Sequence, residues 1–217
     1  MKRAVLAGAA LLALSGCVTE SGGIGLFTPK PESAEAALGL YYDTIADSAL
    51  PKAPAGKPLP ASDAVITKVL LGSCLDEEKG ESAAMMSLAK EDADLFLMVG
   101  DNVYGDRDGR SYVNNQPDLD EVRQSFSDLG ARGDFQKVRA SIPMMVAWDD
   151  HDYGVNDGGN EFPFRGLAER VHEVFWGLEN EDVGQWPGTY YARTFGPEGQ
   201  RTQVIMLDTR FFRSGLT

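Results

Sequence analysis

From residue 64 onward the chain alternates unbroken apolar runs with stretches of helical spacing. AVITKVLLG (64–72), DLFLMVG (94–100) and IPMMVAW (142–148) are short and continuously apolar, which predicts strands. ESAAMMSLAKEDA (81–93), DLDEVRQSFSDLGARGDFQKVRAS (118–141) and EFPFRGLAERVHEVFWGL (161–178) place apolar residues three and four apart, which predicts helices, one or two of them in the second stretch. TYYARTFG (189–196) and TQVIMLD (202–208) flank Gly196-Pro197-Glu198-Gly199 and predict a hairpin. Strand–helix–strand alternation with continuous apolar strands predicts an α/β fold whose sheet is buried on both faces. Ahead of it, residues 32–49 predict a short amphipathic helix, and the four prolines of PKAPAGKPLP (51–60) predict an extended, semi-rigid linker.

Polar residues gather where the predicted strands stop. The first ends in Gly72-Ser73-Cys74, the second in Gly100-Asp101-Asn102-Val103-Tyr104, and the third in Asp149-Asp150-His151-Asp152. Ligands of open α/β sheets sit outside the carboxyl ends of the strands, so all three clusters project onto one edge. Carboxylates and a phenol are hard donors suited to calcium, magnesium, manganese or ferric ions, whereas a thiolate favours zinc or iron. The mixture predicts two metals of different character, or a ferric ion with an oxygen-ligated neighbour. Two such cations can share Asp101, activate a water and neutralise a phosphoryl oxygen. A Cys74–His151 thiol hydrolase is disfavoured, because the surrounding acids raise the thiol pKa. Starting from Asp106, Asp150 or Asp152, the acidic loops do not meet the oxygen-donor spacing of an EF-hand.

Other polar residues have bland readings. His172 lies between Val171 and Val174 on a predicted helix and reads as structural. Arg107 and Arg110 read as a solvated loop paired with Asp106 or Asp108, or alternatively as contacts to a substrate phosphate. Asn156 reads as a support of the site, either as a ligand or as a group behind one, and Arg210 as a cation tying the acidic edge together.

The N-terminus and the charge change the setting. Lys2 and Arg3 precede an apolar run from Ala4 to Leu14, too short to span a bilayer, which predicts an export signal. Leu14-Ser15-Gly16-Cys17 resembles the bacterial lipobox, which implies lipidation of Cys17 and a cell-envelope location, periplasmic or outer-surface. The expected division is residues 1–16 as signal peptide, 17–62 as tether, short helix and linker, and 63–217 as the functional domain. The net charge is −13, and loss of residues 1–16 removes Lys2 and Arg3 and no acids, giving −15. Such acidity excludes a nucleic-acid-binding surface, which needs Lys and Arg, and repels phosphate esters unless local cations reverse the field. With Cys17 acylated, Cys74 has no disulfide partner in the chain. Nothing in the sequence indicates a protein partner.

Taken in order, these motifs resemble a known family. Gly-Asp-x-x-Tyr followed by Asp-His-Asp is similar to the calcineurin-like metallophosphoesterases. The closer resemblance is to the alkaline phosphatase D (PhoD-like) phosphatases, and rests on Gly72-Ser73-Cys74, Gly100-Asp101 with Tyr104, Trp148-Asp149-Asp150-His151-Asp152 and Leu207-Asp208-Thr209-Arg210. It implies a four-layer αββα sandwich, of which this chain is the N-terminal portion. It also implies hydrolysis of phosphodiesters and monoesters by direct attack of a metal-bound hydroxide. Cys74, Asp101 and Tyr104 would ligate Fe³⁺, with Asp101 also facing a Ca²⁺-type site; other divalent metals are alternatives. Asp150 is the favoured further ligand, with Asp149 left open, and His151 would contact a non-bridging or leaving oxygen. Two departures stand out. The chain stops at Thr217, before the histidine-bearing Gly-Asp segment of the family, which predicts a truncated domain, and MKRAV has no twin arginine. A catalytically incompetent or calcium-binding protein of the same fold is therefore the alternative expectation.

Overall fold

The computed structural model describes residues 30–107 and 117–216, so the export segment, Cys17 and Arg110 lie outside it. Strands β1 (Val69–Gly72), β2 (Leu95–Val99) and β3 (Met144–Ala147) form a parallel sheet in the order β1-β2-β3. Its register pairs Leu71 with Leu97 and Leu97 with Met145. The helices are α1 (Ala34–Tyr42), α2 (Ala83–Leu88), α3 (Asp120–Ala131), α4 (Gly133–Ser141), α5 (Asp150–Tyr153) and α6 (Arg165–Trp176), and β4 (Tyr191–Phe195) pairs antiparallel with β5 (Thr202–Met206). The predicted strands, helices and hairpin are present, with shorter bounds in most cases. The 118–141 stretch is two helices, broken at Arg132, whose extended backbone is fixed by a buried ion pair to Asp134 at 2.7 Å.

One hydrophobic cluster joins Phe96, Met98 and Val146 from the strands, and Trp148 just after β3, to Val122, Phe126, Phe135, Val138, Val171 and Phe175 from the helices. The hairpin is tied to β3 by a side chain: the Val146 N–H donates to the Tyr191 hydroxyl at 2.9 Å, and that hydroxyl donates to the Val146 carbonyl at 3.2 Å. This satisfies backbone groups on the outer edge of β3 that a further strand would otherwise take.

One expectation is corrected and a second is extended. The sheet is not buried on both faces among the described residues. Register places Val69, Leu71 and Val99 on one face, and all three are exposed, Leu71 at 69%; Ile205 in β5 and Leu207 just after it are exposed as well. Continuous apolar strands signal a sheet covered on both sides, and the second covering layer is not among the described residues. The proline-rich stretch, expected as an extended, semi-rigid linker, also packs onto the domain. Leu50 is buried in the core, the Ala53 N–H donates to the Phe175 carbonyl at 2.9 Å, and the Lys57 N–H donates to the Arg139 carbonyl at 2.7 Å. Proline lacks an N–H, but the residues between the prolines keep theirs and strap the segment onto α4 and α6.

His172 is structural. It is fully buried against Trp148, Phe126 and Trp176, and neither ring nitrogen has a partner. Burial pushes its pKa down from 6.5 to about 3. The unfolded chain therefore takes up a proton first as pH falls, and stability drops between pH 6.5 and about 3. His172→Leu should flatten that acid limb, so that variant and parent differ by a few kcal/mol more at pH 4 than at pH 7 in pH-dependent melts.

Candidate metal centre at the strand ends

The carboxyl ends of the three parallel strands bring the sequence-predicted donors together. β1 and β2 stay hydrogen-bonded past their last strand residues: the Cys74 N–H donates to the Gly100 carbonyl at 3.3 Å and the Leu75 N–H to the Asp101 carbonyl at 2.8 Å. To turn there, Cys74 and Asp101 adopt left-handed backbone, at φ 57° and 50°. Asp tolerates this region through local hydrogen bonding, whereas Cys has no such advantage. Gly100 sits between the loops at φ 110°, and an added Cβ would lie 2.6 Å from the Asp149 Cβ. That close approach sets Asp101 beside the β3 loop.

Asp101 is shared between two groups of donors. On one side its Oδ2 is 3.5 Å from the Cys74 Sγ, and Tyr104, its pKa raised first by burial, lies close enough for Asp101 and Cys74 to raise it further. On the other, single donor atoms of Asp101, Asp150 and His151 all lie within 4.8 Å of one another. The Asp101 Oδ1 is buried with no hydrogen-bond partner. An orphaned carboxylate oxygen in an acidic cluster is costly unless a cation meets it, so these residues fit a metal ion.

The adjacent aspartates face different partners. Asp149 accepts from Arg210 in a close ion pair and from the Thr209 hydroxyl at 3.1 Å. Asp150 stays with the cluster, accepting from the Asp157 N–H at 2.7 Å, with Arg210 at 3.6 Å. Asp152 is fully buried and faces three backbone amides: Asn102 at 2.8 Å, Val103 at 3.1 Å and Asp149 at 2.9 Å. It lies outside the donor cluster.

Burial raises the Asp101 pKa, helped by Asp150 and Asp149 and opposed by His151. It also raises Tyr104, which the acids around it raise further, so the phenol keeps its proton unless a cation reverses the local field. For Asp150 burial pushes upward but is outweighed by the Asp157 amide, Arg210 and His151, and the carboxyl sits below its ordinary range. His151 is likewise raised: burial works against the charge, but Asp106, Asp150 and Asp101 favour it more strongly.

Four polar residues have roles that sequence reasoning missed or misassigned. Asp106, nine-tenths buried, lies 2.6 Å from His151 Nδ1, and the Tyr104 ring lies 4.4 Å from the imidazole. Buried Glu77 accepts from the Tyr104 N–H at 2.9 Å. Arg107 does not pair with Asp106. Its guanidinium binds Asp76 at 2.7 Å and Glu78 at 2.6 Å while standing over the Tyr104 ring, and it does not face the cluster as a free cation. Asn156 is exposed and donates to Asp157 at 2.9 Å, so its support of the site is indirect, through the residue whose N–H holds Asp150. The only advance signal for these partners was proximity to the Gly-Asp-x-x-Tyr motif. Arg210, by contrast, ties the acidic edge together as expected.

Residues 69–158 match the family described as PhoD-like phosphatase. A curated relative, alkaline phosphatase D of Bacillus subtilis (strain 168), is 27% identical over 124 residues, which cover 52% of this chain and 21% of that protein. A solved structure described as "Structure of PhoD" has a TM-score of 0.58 at 24% identity, over 75% of this chain and 35% of that one. The structural likeness is one of fold, and the matches span about a fifth and about a third of those two relatives.

Left-handed backbone at an exposed, non-glycine residue is strained. Cys74→Gly should therefore be more stable than Cys74→Ala by about 1 kcal/mol in urea denaturation without metal.

Proposed function

We propose, from the membership of residues 69–158 in the PhoD-like phosphatases, that this chain carries a metal-dependent phosphoesterase site acting on phosphate monoesters and diesters. One observation carries the reading: three strand ends converge on Asp101, whose buried Oδ1 has no partner and whose neighbours are Cys74, Asp150 and His151.

In this reading Cys74, Asp101 and Tyr104 hold a ferric ion, and Asp101 with Asp150 faces a calcium-type neighbour. Asp150 is preferred over Asp149 because Arg210 and Thr209 already engage the Asp149 carboxylate. Cations at these positions would supply positive charge to a phosphoryl oxygen and a more acidic water. They would also reverse the field of an acidic chain that otherwise repels phosphate. The protein's own proton chemistry centres on His151. Asp106 accepts from Nδ1, fixing the ring so that Nε2 is the nitrogen available to a substrate oxygen. There it can donate a hydrogen bond to a non-bridging oxygen, or pass a proton to the departing alkoxide.

The exposed apolar side chains of Val69, Leu71 and Val99 on one face of the sheet support the αββα arrangement, in which a second sheet packs on that face. Export and anchoring through Cys17 complete the proposal. Acyl chains contribute about 0.8 kcal/mol per buried CH₂, enough for two or more to hold a protein on a membrane.

Metal analysis of the purified protein, with hydrolysis of bis-p-nitrophenyl phosphate, tests the core of this reading. Iron and calcium should co-purify, with a tyrosinate-to-iron visible band that Tyr104→Phe abolishes. Finding neither metal would sink the proposal, and metal binding without turnover would favour a ligand-binding role for this chain. Asp106→Asn should slow esters of alkyl alcohols by about 100-fold or more, yet nitrophenyl esters much less, because a good leaving group needs little proton transfer. For the anchor, Cys17→Ala should move the protein from the membrane fraction to the soluble one.

A further inference from the structure

Asp152 stands among the candidate ligands in sequence but not in space. Its side chain is fully buried, and its two oxygens accept from Asn102, Val103 and Asp149, so none of the three bonds reaches the Asp101–Asp150–His151 cluster. The amides belong to two loops about fifty residues apart in sequence. Asn102 and Val103 follow Asp101 directly at the end of β2, and Asp149 precedes Asp150 and His151 directly at the end of β3. One carboxylate therefore holds the backbone on both sides of the donor set. A second bond in the same place, from Asn102 Nδ2 to the Ala147 carbonyl at 2.8 Å, ties the β2 loop to the last residue of β3.

We infer that Asp152 is the positioning residue of the metal centre: it fixes the distance between Asp101 and the Asp150–His151 pair before any ion arrives. The inference rests on the metal-site reading above. The physical basis is that donor atoms must be held within a few tenths of an ångström of their binding geometry, and loops alone do not hold them. Two strand-end loops joined only by a cation would have to be ordered by that cation, at the expense of affinity. A buried carboxylate with three amide donors does the ordering beforehand. The left-handed Asp101, which the backbone disfavours, is held on one side by the Leu75 N–H and on the other by the neighbouring amides on Asp152. Support of this kind around metal ligands changes affinity by about 10- to 100-fold when removed.

Two variants of graded severity test the inference. Asp152→Asn keeps one carbonyl oxygen and turns an NH₂ toward at least one of the three amide donors, whichever way the amide settles. Asp152→Ala removes all three acceptors. Asp134→Asn is the control, because Asp134 is an equally buried carboxylate accepting from the Ser82 and Phe135 amides, away from the cluster. Titration of each purified full chain with Mn²⁺ alone, by calorimetry at a temperature where near-ultraviolet circular dichroism shows it folded, gives the affinity. Amide exchange at 102, 103 and 149 reports the loops. The expected result is a loss of Mn²⁺ affinity of about 10-fold for Asp152→Asn and about 100-fold for Asp152→Ala, with faster exchange in the loops. Asp134→Asn should melt lower yet bind as the parent does. Asp152→Ala binding Mn²⁺ within twofold of the parent, whatever its melting temperature, would overturn the inference, as would equal weakening by Asp134→Asn. If the parent itself binds no Mn²⁺, the metal reading fails; unchanged exchange at 102, 103 and 149 in Asp152→Ala would then overturn the clasp as well, and faster exchange would keep it.

Discussion

Aspartates 101, 149, 150 and 152 meet at the end of a three-stranded parallel sheet, where repulsion between carboxylates opposes folding. The fold resolves the conflict by giving each a different environment. Asp152 takes three amides, Asp149 takes Arg210 and Thr209, and Asp150 takes the Asp157 amide with Arg210 at longer range. Asp101 keeps one oxygen that nothing in the described protein satisfies. The unmet acceptor is thereby left on the residue that both donor groups share.

This division of labour depends on backbone conformation more than on side-chain identity. Parallel strands end together, and the loops beyond them must turn at once if their side chains are to face one another. Cys74, Gly100 and Asp101 turn through the left-handed region to do so. Gly100 is required twice, for its positive φ and for the close approach of Asp149. The aromatic core carries the other end of the same apparatus. Trp148, the residue before Asp149, is fully buried against Tyr153 and His172, and its carbonyl accepts from Thr209. The β3 loop is therefore anchored in the hydrophobic cluster on one side and to the hairpin's far end on the other.

Much of this was legible in the sequence, and the reasons differ by residue. The apolar runs identified β1, β2 and β3, and strand ends are where polar clusters gain access to ligand, so pattern brought Cys74, Asp101, Tyr104 and residues 149–152 to one edge. The preference for Asp150 and the role of His151 came from the family resemblance. Asp106, Glu77 and the true role of Asp152 were not found, because a carboxylate's partner is a tertiary fact. Asp152 looks like its neighbours in sequence, yet a turn of short helix sends it inward toward backbone amides. Arg107 was expected to pair with the aspartates beside it, whereas its planar fork reaches back across the loop to Asp76 and Glu78, where two carboxylates meet it together. The proline-rich stretch was incompletely read for a related reason: composition reports stiffness but not whether the intervening N–H groups find acceptors. The covering of the sheet was misjudged because apolar composition does not fix burial: Val69, Leu71 and Val99 are apolar yet exposed among the described residues.

That last point bears on how the protein comes to be made. A chain emerging residue by residue can complete the β1-α2-β2 and β2-α3-α4-β3 crossovers from local sequence, burying Phe96 and Met98 early. Val69, Leu71, Val99, Ile205 and Leu207 remain exposed. Exposed apolar side chains on Val69 and Leu71, on the edge strand β1, favour association with other chains. Lys68, paired with Glu91 just before β1, is the nearest charge guarding that edge. For these strands the exposed apolar side chains are the hazard, and a slow folding step would favour self-association over folding.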